Sequence, residues 1–156
     1  MRNIILTLAI VLISGAGYGQ KIFQSEDGLL YDSLENLYTG IHKEYFENGT
    51  IKAEYAIKNG VKDGITKLYF DNGTLNEVRA YKNGLKHGAW MDYNAKGVKT
   101  GEANYSENVK NGKWYIWDEQ GTLRCEMTYH DGEKVGKWYI YDSDGKLEKE
   151  RDFNNQ

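Results

Sequence analysis

Residues 112–121 read GKWYIWDEQG and residues 136–145 read GKWYIYDSDG. Ten residues rich in Trp and Tyr are thus written twice, 24 positions apart. A catalytic loop is needed once, whereas a unit that cannot bury its own apolar face must be stacked against copies of itself. Outward from this pair the same phase runs through most of the chain. A Gly opens each unit at Gly40, Gly64, Gly88, Gly112 and Gly136, and a second follows nine residues on at Gly49, Gly73, Gly97, Gly121 and Gly145. The period of 24 holds without insertion and defines five repeats: 40–63, 64–87, 88–111, 112–135 and 136–156.

Local chemistry divides each repeat into two strands and two turns. The four residues ending on the second Gly, such as Asp118-Glu119-Gln120-Gly121, suit a tight turn closed at positive φ. A second turn is predicted at Asn59-Gly60, Asn83-Gly84 and Asp131-Gly132, which are strong hairpin signals. In the third repeat Asn108 holds the Gly phase, and Asn tolerates the left-handed region best among the other residues. Between the turns, Leu123, Cys125, Met127 and Tyr129 alternate with Thr122, Arg124, Glu126 and Thr128, the mark of a strand with one apolar face. In the preceding strand Tyr115 and Trp117 share one parity, and Trp114 and Ile116 the other, so both faces carry apolar bulk.

Two aromatic-rich rows keep phase: Tyr45, Tyr69, Tyr93, Trp117 and Tyr141, and Ile57, Tyr81, Tyr105, Tyr129 and Phe153. By size these ten side chains are expected to mark the core. The fold class that follows is all-β: an elongated antiparallel β-hairpin repeat array, an open twisted meander of about ten strands in the repeats. Composition agrees, with 13 Tyr, 4 Trp, 18 Gly and no Pro among 156 residues.

Outside the repeats, Arg2, the apolar run Ile4 to Ile13 and the small residues Ser14 to Gly19 read as a secretory signal peptide over 1–19, with cleavage expected before Gln20. The run is short for a ~30 Å hydrocarbon layer, so no transmembrane helix is expected after cleavage. Export permits disulfides, but Cys125 is the single cysteine and is read as a buried thiol. Residues 20–39, with Leu29, Leu30, Tyr31, Leu34 and Leu37, are expected to cap the open edge of the first repeat. Asn154-Asn155-Gln156 reads as a polar tail.

Charge and motif searches narrow the function. Twenty Lys and Arg against 23 Asp and Glu give a net charge of −3, which offers no broad basic field for nucleic acid. Lys62, Lys86, Lys110 and Lys134 form one row, and Glu54, Glu102, Glu126 and Glu150 another, both read as solvated surface. His42, His87 and His130 fall at three different repeat phases and build no histidine row. No nucleophile elbow, zinc-protease helix or phosphate-binding loop is present, and the Asp-bearing turns lack the spacing of a calcium loop. Catalytic residues, metal and cofactor are each expected to be none.

The sharpest candidate for binding is the row Trp90, Trp114 and Trp138, two places into the last three repeats. Strand alternation puts these rings opposite Tyr93, Trp117 and Tyr141, in a ladder at ~10 Å spacing. Such a row suits a protein hot spot, sugar stacking, a lipid interface or packing between repeats.

The pattern G-x-W-x-x-Y-x-x-x-G followed by an aromatic and N-G, as in Gly88-Ala89-Trp90 with Tyr93 and Gly97, resembles the MORN-repeat variant family. Tyr38 to Gly49, YTGIHKEYFENG, resembles it too, and the likeness covers about residues 38 to 153. His42 and Thr66 stand where the pattern has Trp. The resemblance implies an extended hairpin array used for protein or lipid contact. Bacterial members are often labelled YwqK-type antitoxin components, which implies a neutraliser of a partner protein. The combined expectation is an exported, non-catalytic repeat protein, periplasmic or secreted, that mediates protein–protein interaction or scaffolding at the bacterial cell envelope. The alternative is a carbohydrate- or lipid-binding module that uses the Trp row.

Overall fold

The computed structural model describes residues 21–154. The expected signal peptide, and the last two residues of the polar tail, lie outside them. Among the described residues all regular elements are strands: β1 (Ile22–Gln24), β2 (Leu30–Asp32), β3 (Gly40–Tyr45), β4 (Ile51–Lys58), β5 (Val61–Tyr69), β6 (Leu75–Lys82), β7 (Leu85–Tyr93), β8 (Lys99–Ser106), β9 (Val109–Lys110), β10 (Gly112–Trp117), β11 (Leu123–His130), β12 (Glu133–Lys134), β13 (Lys137–Tyr141) and β14 (Leu147–Asp152). From β3 to β14 they form one antiparallel sheet in chain order, with the short β9 and β12 beside β8 and β11. Each hairpin follows its neighbour, so the all-β open meander is what the chain adopts. At ~4.8 Å per strand, each repeat advances the sheet by about 10 Å.

The turns form where the sequence places them. Asn59 and Gly60 have φ of 49° and 78°, Glu107 and Asn108 50° and 72°, and Asp131 and Gly132 48° and 88°. Both central residues are left-handed, which matches the twist of the flanking strands. At the other end of each hairpin, Gly121 donates its N–H to the carbonyl of Asp118, and Asp118 N–H bonds the carbonyl of Thr122. The Asp118 side chain accepts from the N–H groups of Gln120 and Thr122, which fixes the turn further.

The Gly that opens each repeat after the first makes a corner rather than a turn. Between β6 and β7 the register passes from Arg79↔Trp90 to Tyr81↔Lys86, so His87, Gly88 and Ala89 stand opposite Ala80 alone. Gly88 takes φ of 86° there, and Gly112, at the matching place, takes 103°. A Cβ on Gly112 would lie 3.2 Å from the Cβ of Asn104. Positive φ and close approach together require Gly.

The sheet is a single layer, so few side chains are fully enclosed. The two aromatic rows expected to share one core instead lie on opposite faces. Gly112 pairs with Tyr129 and Trp114 with Met127, which puts the Ile57–Phe153 row on the face of the Trp residues. Tyr69 hydrogen-bonds Glu54 and Trp117 stacks on Tyr115, which places the other row on the reverse face. Register, not side-chain size, decides the grouping.

The first repeat packs against residues 21–39. Ile22, Tyr38 and Ile57 form a buried cluster with Leu30 and Tyr55 around it. Tyr38 occupies the repeat phase of Lys62, and its carbonyl accepts the N–H of Gly60 just as that of Lys62 accepts the N–H of Gly84. Leu34 and Leu37 stay largely exposed, and Cys125 is half-buried. At the other end Asn154 is not loose tail: its side chain accepts the N–H of Gly136 at 3.0 Å.

Candidate functional site: the aromatic ladder and its reverse face

Trp90, Trp114 and Trp138 stand on β7, β10 and β13 just past each Gly corner. The indole N–H groups donate to the carbonyls of Ala80, Asn104 and Thr128 at 2.9, 3.1 and 3.1 Å. Two of those oxygens also accept a backbone N–H from the corner, from Asn111 and Val135. The indole therefore ties each repeat to the one before it at the place where the strand bends. A buried indole N–H needs such a partner.

The rings alternate with the Tyr row in one unbroken series. Tyr81, Trp90, Tyr105, Trp114, Tyr129, Trp138 and Phe153 follow at centroid separations of 5.3, 5.3, 5.3, 5.1, 5.2 and 4.7 Å, with tilts of 50° to 60°. Tilted contacts bring positive ring edges to negative ring faces, each worth about 0.5–1.5 kcal/mol beyond area burial.

The Lys row closes the ladder from above. Lys86 lies 4.5 Å from the Trp90 centroid and 5.0 Å from that of Tyr105; Lys110 spans Trp114 and Tyr129, and Lys134 spans Trp138 and Phe153. Arg79 adds a guanidinium 4.5 Å from Trp90. Trp90 is only 9% exposed, and Trp114 and Trp138 are half-buried. Of the Lys residues expected to be solvated surface, Lys62, Lys86 and Lys110 are half-buried in this packing, while Lys134 stays exposed with its ammonium over Trp138. Only their common phase signalled it in the sequence; the rings beneath come from other strands.

The first two repeats build the same clamp from different residues. Lys62 bridges Tyr55 and Tyr81 at 5.0 and 5.2 Å, so Tyr55 fills the place a Trp takes later. Opposite Tyr55 in register is the small Thr66, 2% exposed, whose hydroxyl makes no hydrogen bond among the described residues. His42 stacks on Tyr55 at 6.0 Å with its Nε2 enclosed and without a partner among the described residues. Burial pushes the imidazole pKa down, opposed in part by Glu44, and burial followed by the Glu44 charge pushes the Tyr55 phenol up to about 12.

The reverse face is polar and ionic with an aliphatic window. Lys43 pairs with Glu54 at 2.8 Å, Lys137 with Glu150 at 2.7 Å, and Lys113 with Glu126. Tyr69 donates to Glu54 at 2.9 Å; burial first, then this bond, pushes its phenol up to about 12. The Lys43 and Tyr69 hydrogen bonds hold the Glu54 carboxyl below its ordinary range. Beside these groups Ile41 is 57% and Ile65 46% exposed. With Lys43, Glu54, Ala56 and Lys67 they line an open depression of about 440 Å³. Sequence reasoning missed this window, because Ile41 and Ile65 occupy a phase filled by Ala89, Lys113 and Lys137 elsewhere.

The histidines stay apart in sequence phase, and among the described residues no three His, Cys, Asp or Glu side chains gather as a metal-binding group. No described helix is long and apolar enough to cross a membrane. No curated protein matches the chain. The MORN repeat variant matches residues 38–59, 62–83, 110–131 and 134–155. The unmatched stretch between the second and third segments includes Glu107-Asn108 in place of an Asn-Gly or Asp-Gly turn, yet the sheet continues through it in register. With four matched segments over more than half its length and an unbroken hairpin array, the chain belongs to the MORN repeat variant family.

Proposed function

We propose that this chain is an exported recognition scaffold at the bacterial cell envelope that binds a protein partner through the reverse face of its sheet. MORN repeats are generally protein or membrane interaction modules, and theirs is a non-catalytic repeat family. The observation that carries the choice of face is the pair of exposed isoleucines, Ile41 and Ile65, beside the Lys43–Glu54 ion pair. An apolar centre with a charged rim is how protein interfaces are composed.

The ladder face favours this reading over the sugar- or lipid-binding one. Stacking on a sugar needs a free ring face, and these rings are occupied by one another and by ammonium groups. A neutralising, antitoxin-like role would be a special case of the same contact, distinguished by loss of the partner's activity on binding. The test is capture from a native cell-envelope extract with the wild type and an Ile41→Asp, Ile65→Asp variant of unchanged circular dichroism. One protein enriched by the wild type and lost with the variant supports the reading. Equal capture by both, or enrichment of a glycan, overturns it.

A further inference from the structure

We propose that copies of this chain associate head to tail, with β14 of one copy adding to β3 of the next and continuing the sheet in its own register. Among the described residues β3 and β14 are the two ends of the strand order, and each has one strand neighbour. All six residues of β14 are exposed. Residues 21–39 engage the first repeat at Gly60 and Ile57, toward the other end of the hairpin, and leave His42 to Tyr45 without a second strand. An open edge of this kind is a template for strand addition.

The register of the junction follows from the repeats. At the four internal junctions the second strand of one repeat meets the first strand of the next in the same phase: Glu54↔Lys67, Glu77↔Asp92, Tyr115↔Glu102 and Cys125↔Ile140. Carried one repeat further, that phase sets Lys149 against Glu44 and Glu150 against Lys43 of the next copy. Both pairs are of opposite charge, and each lies on its own face of the sheet. Glu150 against Lys43 also repeats the internal Glu54↔Lys67 pair.

The same strand rejects a symmetric partner. In β14 the acids Glu148, Glu150 and Asp152 share one face, and Lys149 and Arg151 share the other. A two-fold pairing of β14 with itself keeps faces matched, so acid meets acid and base meets base. Like charges directly opposite are destabilising, and opposite charges are stabilising. The charges that discourage self-pairing of this edge are therefore those that select the other end of the molecule. Such a contact is heterologous and does not close, so the product is a growing chain.

Among the described residues Lys149 is free of ion pairs, and Glu44 makes no ion pair and accepts one side-chain hydrogen bond, from the Tyr55 hydroxyl, which makes them suitable targets. The experiment is sedimentation velocity of the purified chain over a concentration series at low and high salt, with Lys149→Glu, Glu44→Lys and their equimolar mixture. The wild type is expected to gain mass with concentration without stopping at a dimer, and to lose it in salt. Each single variant should associate about tenfold more weakly or less, with circular dichroism unchanged. The mixture should recover association, because each variant's tail then meets an opposite charge on the other's head. A monomeric wild type at all concentrations, a mass that levels at the dimer, or a mixture no better than its components overturns the proposal. None of these variants alters Ile41 or Ile65, so this result stands apart from the capture experiment.

Discussion

The first two repeats and the last three solve one packing problem differently. In repeats three to five a Trp follows the Gly corner, bonds a carbonyl of the previous hairpin and separates two aromatic rings. In the first two, His42 and Thr66 take that position and Tyr55 supplies the ring from the neighbouring strand, while residues 21–39 add a second set of apolar contacts to the first of them. Ile22, Tyr38, Ala53, Ile57 and Thr66, five of the most enclosed side chains, all lie at this end. At this end Tyr55, itself packed beside residues 21–39, stands where a Trp would be needed. Repeats with cover only from each other keep it.

The largest effect should separate the two ends. Trp114→Ala removes a ring from the middle of the ladder together with its hydrogen bond to Asn104, and should cost about 3–5 kcal/mol. Thr66→Val, at the same phase, replaces a hydroxyl without a partner among the described residues by a methyl group of similar size and should change stability by less than about 1 kcal/mol. Urea unfolding of both variants measures the difference, and equal losses would remove the distinction.

Exchanging the two solutions should cost less but is more diagnostic. Thr66→Trp puts a second large ring where Tyr55 already sits and should destabilise by about 1–3 kcal/mol through overpacking. Combined with Tyr55→Ala, the loss should shrink below the sum of the single effects, because the indole then occupies the vacated place. Strict additivity in the double-mutant cycle would show that the Tyr55–Thr66 pair is not the counterpart of a Trp.

Alkali should act most strongly through the first two repeats, although burial also raises the phenols of Tyr81, Tyr105, Tyr129 and Tyr141. The Tyr55 and Tyr69 phenols are both pushed up to about 12, so the fold holds these protons more tightly than the unfolded chain does. The resulting stability is fully present below the ordinary phenol value of about 10 and is lost as pH rises toward 12. Urea midpoints should fall through that window, and Tyr69→Phe should make the fall shallower. A midpoint flat with pH would contradict the assignment. The smallest effect belongs to the Lys row: Lys110→Met keeps the stem but removes the ammonium over Trp114 and Tyr129, and should cost about 0.5–1 kcal/mol in the same assay.

The sequence made the repeat, both turns and the strand faces legible because these depend on residues close in the chain. Asn59-Gly60 forms its turn from its own backbone preferences, and Cys125, Met127 and Tyr129 share a face through alternation alone. What it hid depends on contacts between repeats. The Gly40-to-Gly136 series is visible as a period, but its role as a corner after the first repeat requires the register jump at Ala80. The Trp row was a candidate grip because nothing local reveals that the indoles bond carbonyls ten residues back. Lys62 to Lys134 read as solvated charge for the same reason. Ile41 and Ile65 escaped notice because only two repeats carry them.

The central claim is that the ladder binds the repeats to one another rather than to a ligand, and its most direct test is hydrogen exchange at the four indole N–H groups. In the ¹⁵N-labelled chain transferred to D₂O, the N–H signals of Trp90, Trp114 and Trp138 should outlast that of Trp117, whose ring lies on the reverse face beneath Lys99 and makes no indole hydrogen bond among the described residues. Three protected signals and one lost early are the predicted result. Four signals that disappear together would show that the Trp row is open to solvent and would return it to the role of a binding surface.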